Sequence, residues 1–444
     1  MFEFLPPTVR LQGPPKLHRK DAARLKSEFE RVHQALPRPL ELYVLETFGI
    51  DLSTFYGGVR IKNPFGKASG QLSMTCPQVE KDSKSGLGFV VLKTVIAQDD
   101  SGMQSMREWA IPETRMQLER IRGRSGEEGW TITWTGRGWS GTFESYRRLF
   151  DESLALAGPS DMLVVPSVKY HLPTPQEDCW KEKEYNFTTR SLLEIWSKHH
   201  GAALMPIEKD FSPTLAGSSR AALEVKILEW LRTVPSLIRC AAPGRTCVGL
   251  KVFNALFGDP FQLQMLETLH SLVPGKDQSD FLIYGNRLFD PSRSFEGKTG
   301  VAYGGPDLSD RNLAVFENFL SHRLLAQSQF QMPAVPQLLP FSATGDIHSG
   351  RIAAEYLLRG ASSFQLHTLF QLADAEFMMK IGSKAEKALH LLLFHPQDGF
   401  LAWILDLRER FSLKAGANVH EIAKWFQDHW SAVAESFGAN EYRA

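Results

Sequence analysis

Charge of one sign, paired cysteines, long apolar runs and internal repeats are all missing from this chain of 444 residues. Lysine plus arginine balances aspartate plus glutamate at 50 each, and no block of like charge stands out. That balance excludes an electrostatic footprint for nucleic acid or for an anionic membrane surface, and leaves a small molecule as the expected ligand. Four cysteines, Cys76, Cys179, Cys240 and Cys247, are scattered with no CxxC pair, so no iron–sulfur ligand set is visible. The stretch MFEFLPPTVRLQGPPK has no apolar signal core, and the expectation is a cytoplasmic protein with free thiols. No apolar stretch approaches the ~20 residues that span a bilayer, so no integral membrane segment is expected. The densest, Leu391 to Phe394, stops at His395 and Pro396.

The segment LLPFSATGDIHSGRIAAEYLLRGASSFQLHT, residues 338–368, is the most telling stretch present. An apolar strand runs to Thr344-Gly345-Asp346, where glycine allows close backbone approach to a ligand and the next helix opens with exposed amides. Ile352, Ala353, Tyr356 and Leu357 recur at helical spacing, Gly360 stops the helix, and a second strand ends at His367-Thr368. Two consecutive strand-to-helix turns suited to one phosphate match strands seven and eight of a (β/α)8 TIM barrel at its C-terminal face.

The rest of the chain supplies the remaining strands. Candidates are the run ending in Ala68-Ser69-Gly70, then GFVVLKTVI (88–96), MLVVPSVKY (162–170), AALMPIEKDFS (202–212), CVGLKVF (247–253) and DFLIYGN (280–286), with helical patterns between them. A barrel needs roughly 250 residues, so the expected division is an N-terminal helical arm over 1–54, the barrel over 55–375 and extra C-terminal helices over 376–444. Asn418 with Glu421 predicts a capping box in that last region. Lys93 and Lys251 each sit inside an apolar strand and require an anionic or acceptor partner at the barrel mouth.

Taken together, NPFGKASG, VVLKTV, KDFSPT, GLKV, IYGN, GVAYGG, TGDIHSG and GASSFQLHT stand in the order and spacing of the dihydroorotate dehydrogenase family, which the chain resembles across roughly residues 55–375. The resemblance implies a barrel holding FMN, with hydride passing between flavin N5 and a carbonyl-adjacent C–C bond of a small, anionic, pyrimidine-like substrate. It implies a cofactor site of Ala68, Ser69, Lys93, Thr94, Lys251, Asn286, Gly304, Gly305, Gly345, Asp346, His367 and Thr368. It places the catalytic base at Ser212, beside Pro213, with Lys93 as a second catalytic group and Lys209 or Asp210 in a proton relay. It leaves a homodimer open.

The departures from the family pattern concentrate on the substrate side. Lys67, Lys209 and Thr214 stand where the family has asparagines; Asn286 remains, and Arg287 follows it in place of a small hydroxyl residue. Those substitutions favour an additional anion over a neutral pyrimidine edge, and hydrogen-bonding discrimination of this kind reaches ~10⁴-fold. Asp346 and His367 replace glycines at the phosphate turns. The alternative reading is a non-catalytic barrel that binds FMN or another phosphate ligand. A metal-dependent hydrolase is disfavoured, because His199-His200 and the pair His390 and His395 lack ligand spacing and no metal site is visible. The electron acceptor is unassigned.

Overall fold

Short strands that are apolar on both faces need cover on both, and the chain provides it by curling a parallel sheet on itself inside a ring of helices. The computed structural model describes residues 6–112, 116–134, 137–211, 223–255, 257–330 and 338–438, without the side chains of 326–330. Helices α1 (Arg19–Arg31) and α2 (Leu40–Phe48) lead into a hairpin of β1 (Thr54–Tyr56) and β2 (Val59–Ile61). The first barrel strand is β3 (Phe65–Lys67), followed by α3 (Cys76–Ser83); the second is divided into β4 (Phe89–Val91) and β5 (Val95–Ile96). A hairpin of β6 (Met116–Arg122) and β7 (Glu128–Trp134), then α4 (Phe143–Ala157), precede the third strand, which Pro166 divides into β8 (Leu163–Val165) and β9 (Ser167–Lys169). Helices α5 (Glu182–His200), α6 (Glu224–Ala241) and α7 (Asp259–Ser271) lead respectively to β10 (Met205–Asp210), β11 (Thr246–Phe253) and β12 (Phe281–Asn286). A further hairpin, β13 (Leu288–Phe295) and β14 (Lys298–Tyr303), comes before α8 (Pro306–Phe330); β15 (Phe341–Thr344), α9 (Gly350–Leu358) and β16 (Ala361–Leu366) complete the barrel. Four helices follow: α10 (Lys384–Phe394), α11 (Phe400–Arg410), α12 (Val419–Asp428) and α13 (Trp430–Ser436).

Pairing runs β5-β9-β10-β11-β12-β15-β16-β3-β4-β8. Since β4 with β5, and β8 with β9, are halves of single strands, the two ends of that order are the same pair of strands. Val90 opposite Val164 and Val95 opposite Val168 carry the closure. The sheet is therefore a closed, all-parallel (β/α)8 barrel with an N-terminal helical arm and extra C-terminal helices.

The barrel axis is filled by large side chains facing positions that lack one. A Cβ on Gly66 would lie 2.4 Å from the Phe89 ring, and one on Gly249 would lie 2.2 Å from Phe281. Tyr56, from the β1–β2 hairpin, stacks on Phe89 with centroids 4.3 Å apart and closes the N-terminal end. On the outside, Phe65 and Phe364 pack against Phe400 of α11, so the C-terminal helices cover the barrel wall. Asn418 and Glu421 form the expected capping box at the start of α12. After the third strand, α5 begins at Glu182, and its first turn carries Glu182 and Glu184 at the positive end of the helix dipole. Among the described residues no helix is long and apolar enough to cross a membrane.

Candidate active site

Strand alternation decides which side chains reach the barrel mouth. The positions that point inward at the C-terminal ends converge on a cavity of about 230 Å³. Ala68, Ser69, Lys93, Thr94, Lys251, Asn286, Arg287, Gly304, Gly305, Gly345, Asp346, His367 and Thr368 all line it. Lys67 and Lys209 do not. They lie on the outward faces of β3 and β10, one residue out of step with Ala68, Glu208 and Asp210. The Lys67 ammonium is 2.5 Å from Asp82 of α3; that of Lys209 donates to the carbonyls of Tyr170 (3.3 Å) and Asp210 (3.1 Å) and lies over the Phe211 ring. Burial lowers both lysines, most strongly Lys209, with Lys169 adding to the effect there. Ser212 and Thr214 lie outside the described residues.

Below the cavity is a buried polar layer. Gln365 Nε2 donates to Tyr56 Oη (2.7 Å) and Glu208 Oε1 (2.5 Å), and the Tyr56 hydroxyl donates to the same carboxylate. Lys251 Nζ donates to Gln365 Oε1 at 3.2 Å. Burial raises the Glu208 carboxyl above the usual range, with Lys251 opposing. One level higher, hydroxyls link the first three strands: Ser69 Oγ and Thr94 Oγ1 are 2.9 Å apart, as are Thr94 Oγ1 and Ser167 Oγ. Behind strands six and seven, Asn312 of α8 donates to the carbonyls of Gly285 (3.0 Å) and Thr344 (3.1 Å) and fixes the spacing of the two strand ends.

His367 stands against the Ala68-Ser69-Gly70 turn, where a Cβ on Gly70 would meet its ring at 2.7 Å. Both of its ring nitrogens are buried and have no hydrogen-bond partner. Burial, with Arg287, Lys93 and Lys251 nearby, lowers its pKa to about 3. The neutral ring thus carries one donor and one acceptor nitrogen, both without a partner. Asp346, at φ 53°, turns its carboxylate toward Ser309 Oγ (3.2 Å) and His348 Nδ1 (3.3 Å), and this partnership raises His348 against the opposing effect of burial.

The β6–β7 hairpin lies across the mouth. Trp130, Ile132, Thr133 and Trp134 line the cavity from above. Arg287 donates to the Ile132 carbonyl and lies 4.3 Å from the Trp134 ring centroid; burial lowers it to about 9. Thr131 Oγ1 accepts from the Gly304 amide at 2.9 Å, so that phosphate donor is engaged inside the protein. Arg293 of β13 and Glu119 of β6 join the two hairpins.

Lys169, Arg137 and the two tryptophans of this hairpin have no place in the sequence reading. Lys169 carries the same signal as Lys93 and Lys251, a lysine within an apolar strand; Arg137 belongs to an inter-strand segment with no pattern to mark it. The histidine pairs sit elsewhere: His199 contacts Asp151, His200 stacks on Trp196, and His390 and His395 both pack around Phe29.

The lining fits a flat, anionic group such as FMN. Small residues line the wall at Ala68 and Ser69, beside the His367 ring that covers Gly70, the orphaned His367 nitrogens demand a polar partner, and Lys93, Lys169, Lys251 and Arg287 supply positive charge.

No protein-family model and no curated protein matches the chain. Among solved structures it is similar to a DHODH from Eimeria tenella in complex with ferulenol, at 12% identity over 92% of this chain and 96% of that one, with a TM-score of 0.49. A ligand-free form of DHODH from Eimeria tenella is 15% identical over 86% and 99% of the two chains, with a TM-score of 0.46. An IMP dehydrogenase/GMP reductase-like protein from Corynebacterium glutamicum is 10% identical over 85% and 88%, with a TM-score of 0.36. These likenesses say nothing about chemistry.

Proposed function

We propose that this chain is an FMN-dependent oxidoreductase of the dihydroorotate dehydrogenase-like group, acting on a carbonyl-adjacent CH–CH bond of a small anionic substrate. The observation that carries the reading is the convergence, in one mouth cavity, of the small residues Ala68 and Ser69 with inward lysines from strands two, three and five and with the unpartnered His367. The bound flavin would supply the hydride acceptor and donor chemistry.

The protein's own groups supply orientation and charge. Lys251, positioned by Gln365, and Lys93 place positive charge where a reduced anionic ring would develop negative charge. Thr368, the Gly345 turn and His367 would hold the phosphate end, while the Gly304 amide, bonded to Thr131, would not contribute. Ser212 is the proposed proton acceptor. A serine hydroxyl needs a relay to act near neutral pH, and Asp210, which lines the cavity, is better placed for it than Lys209, which faces the helix layer.

Anaerobic addition of dihydroorotate to the purified chain, followed by absorbance from 300 to 550 nm, tests the reading. Bleaching of a flavin band is the expected result, and S212A should slow it by at least about 10²-fold. A flavin band that ignores dihydroorotate and a panel of related cyclic carboxylates would overturn the assignment of an oxidoreductase and leave a binding barrel.

A further inference from the structure

Two cations on the side of the mouth formed by strands two and three, the buried Lys169 and the half-buried Arg137, share one indole. The Arg137 guanidinium lies 4.6 Å, and the Lys169 ammonium 4.2 Å, from the centroid of the Trp109 ring. Both residues line the cavity; Trp109 is the floor beneath them. Lys169 Nζ lies 3.5 Å from Asp210 Oδ2 and makes no hydrogen bond, although it is sealed from solvent. No carboxylate among the described residues forms an ion pair with Arg137. Glu108 is exposed, and its Oε1 accepts from Trp109 Nε1 at 3.0 Å.

The cluster is rigidly built. Gly138 N donates to the Trp109 carbonyl at 2.7 Å and Trp139 N to the Thr94 carbonyl at 2.7 Å, so Arg137 is stitched to the end of strand two. A Cβ on Gly138 would lie 2.5 Å from Ile96 Cδ1, so the close approach depends on glycine. A buried cation such as Lys169 is stable only with an anionic or acceptor partner, and burial lowers the pKa of both Lys169 and Arg137. The charges facing the cluster are Asp210, Glu108 and, behind Lys169, Lys209. Asp210 and Glu108 together offset two of the three positive charges of Arg137, Lys169 and Lys209 and leave about one unpaired at the cavity wall. A monoanion matches that remainder, whereas Asp210 would repel a dianion. A guanidinium fork pairs best with a planar carboxylate.

We propose that Arg137 and Lys169, on the Trp109 ring, form the seat for a single carboxylate of the substrate, on the wall of the mouth made by strands two and three. This seat rests on the reading of the cavity as a substrate site and makes the substrate class a carboxylic acid.

Ligand-observed NMR titration of the full chain with benzoate and with benzamide, its neutral isostere, tests it. The wild type is expected to hold benzoate about tenfold more tightly than benzamide. R137M and K169M should each bring benzoate down to the benzamide level and leave benzamide unchanged. R137K, which keeps the charge and loses the fork, should weaken benzoate several-fold, and this decides the matter if R137M does not fold. Equal affinity for the two probes, a benzoate preference that survives these substitutions, or displacement of benzoate by inorganic phosphate at similar concentration would overturn the seat. Flavin content, read by absorbance on the same samples, separates the two proposals. A flavin-free protein that still selects benzoate through Arg137 contradicts the cofactor reading alone; a flavin-loaded protein indifferent to benzoate contradicts the seat alone.

Discussion

His367 carries a stability consequence as well as a binding one. Its folded pKa is lowered to about 3 by burial and by the nearby Arg287, Lys93 and Lys251, while the unfolded chain protonates it near the ordinary value of about 6.5. Below about pH 6.5 the unfolded state therefore binds a proton that the folded state refuses, and stability falls as pH falls toward 3. Replacing the ring by H367Q removes that contribution. Between about pH 7 and pH 5 the melting temperature of the wild type should fall more steeply than that of H367Q; parallel curves would contradict the lowered pKa. At this scale the mouth was partly legible from sequence, because a lysine within an apolar strand has few places to go. Lys93 and Lys251 meet that expectation in the cavity, and Lys169 shows the same pattern with Pro166 dividing its strand. Lys67 and Lys209 share the composition but have the wrong parity, and a family alignment carries residue identity without the alternation that sends them to the helix layer.

Among the elements, the two hairpins are what the sequence hid. MQLERIR and EGWTITW pair residue for residue from Met116 opposite Trp134 to Arg122 opposite Glu128. In the first strand, alternation mixes apolar and charged side chains and shows no clean face, whereas the second sets Trp130, Ile132 and Trp134 on one face against Thr131 and Thr133 on the other, a period-two signal that marks it as a strand. The second hairpin contains the GVAYGG motif, whose glycines resemble a phosphate turn. In the folded chain Gly304 donates to Thr131, and a Cβ on Gly305 would lie 2.3 Å from Ile121. T131V keeps the shape and deletes the acceptor. It should cost about 1 kcal/mol in denaturant unfolding, the net worth of a part-buried hydrogen bond. Because the Gly304 amide is engaged by Thr131 and stands outside the proposed phosphate seat, T131V should leave FMN affinity unchanged in a fluorescence titration. A tightened FMN would return Gly304 to the cofactor site.

For the molecule as a whole, the barrel was the readable part, since strands and helices alternate in order and most strands read as short, largely apolar runs. Closure was not readable, because it depends on Val90 meeting Val164 and Val95 meeting Val168 across a broken pair of strands. Nor was the clasp that ties the N-terminal segment to the hairpin tip and to helices α8 and α9. Arg10 pairs there with Glu127 (2.9 Å), Asp310 (2.5 Å) and Glu355 (3.6 Å), and Arg351 reaches the same Glu127 at 3.2 Å. That network anchors the β6–β7 hairpin over the cavity at one end, as Arg287 does at the other, so the mouth is roofed by the protein's own charge pairs. A roofed, positively charged cavity with an unpartnered imidazole is consistent with a resident anionic cofactor, and the most direct test is to identify what the purified chain carries. Protein purified without added flavin would be denatured and the released small molecules weighed by mass spectrometry against a chain concentration. About one FMN per chain is expected. Protein that releases no flavin, and that takes up none when FMN is supplied in excess, would contradict the account.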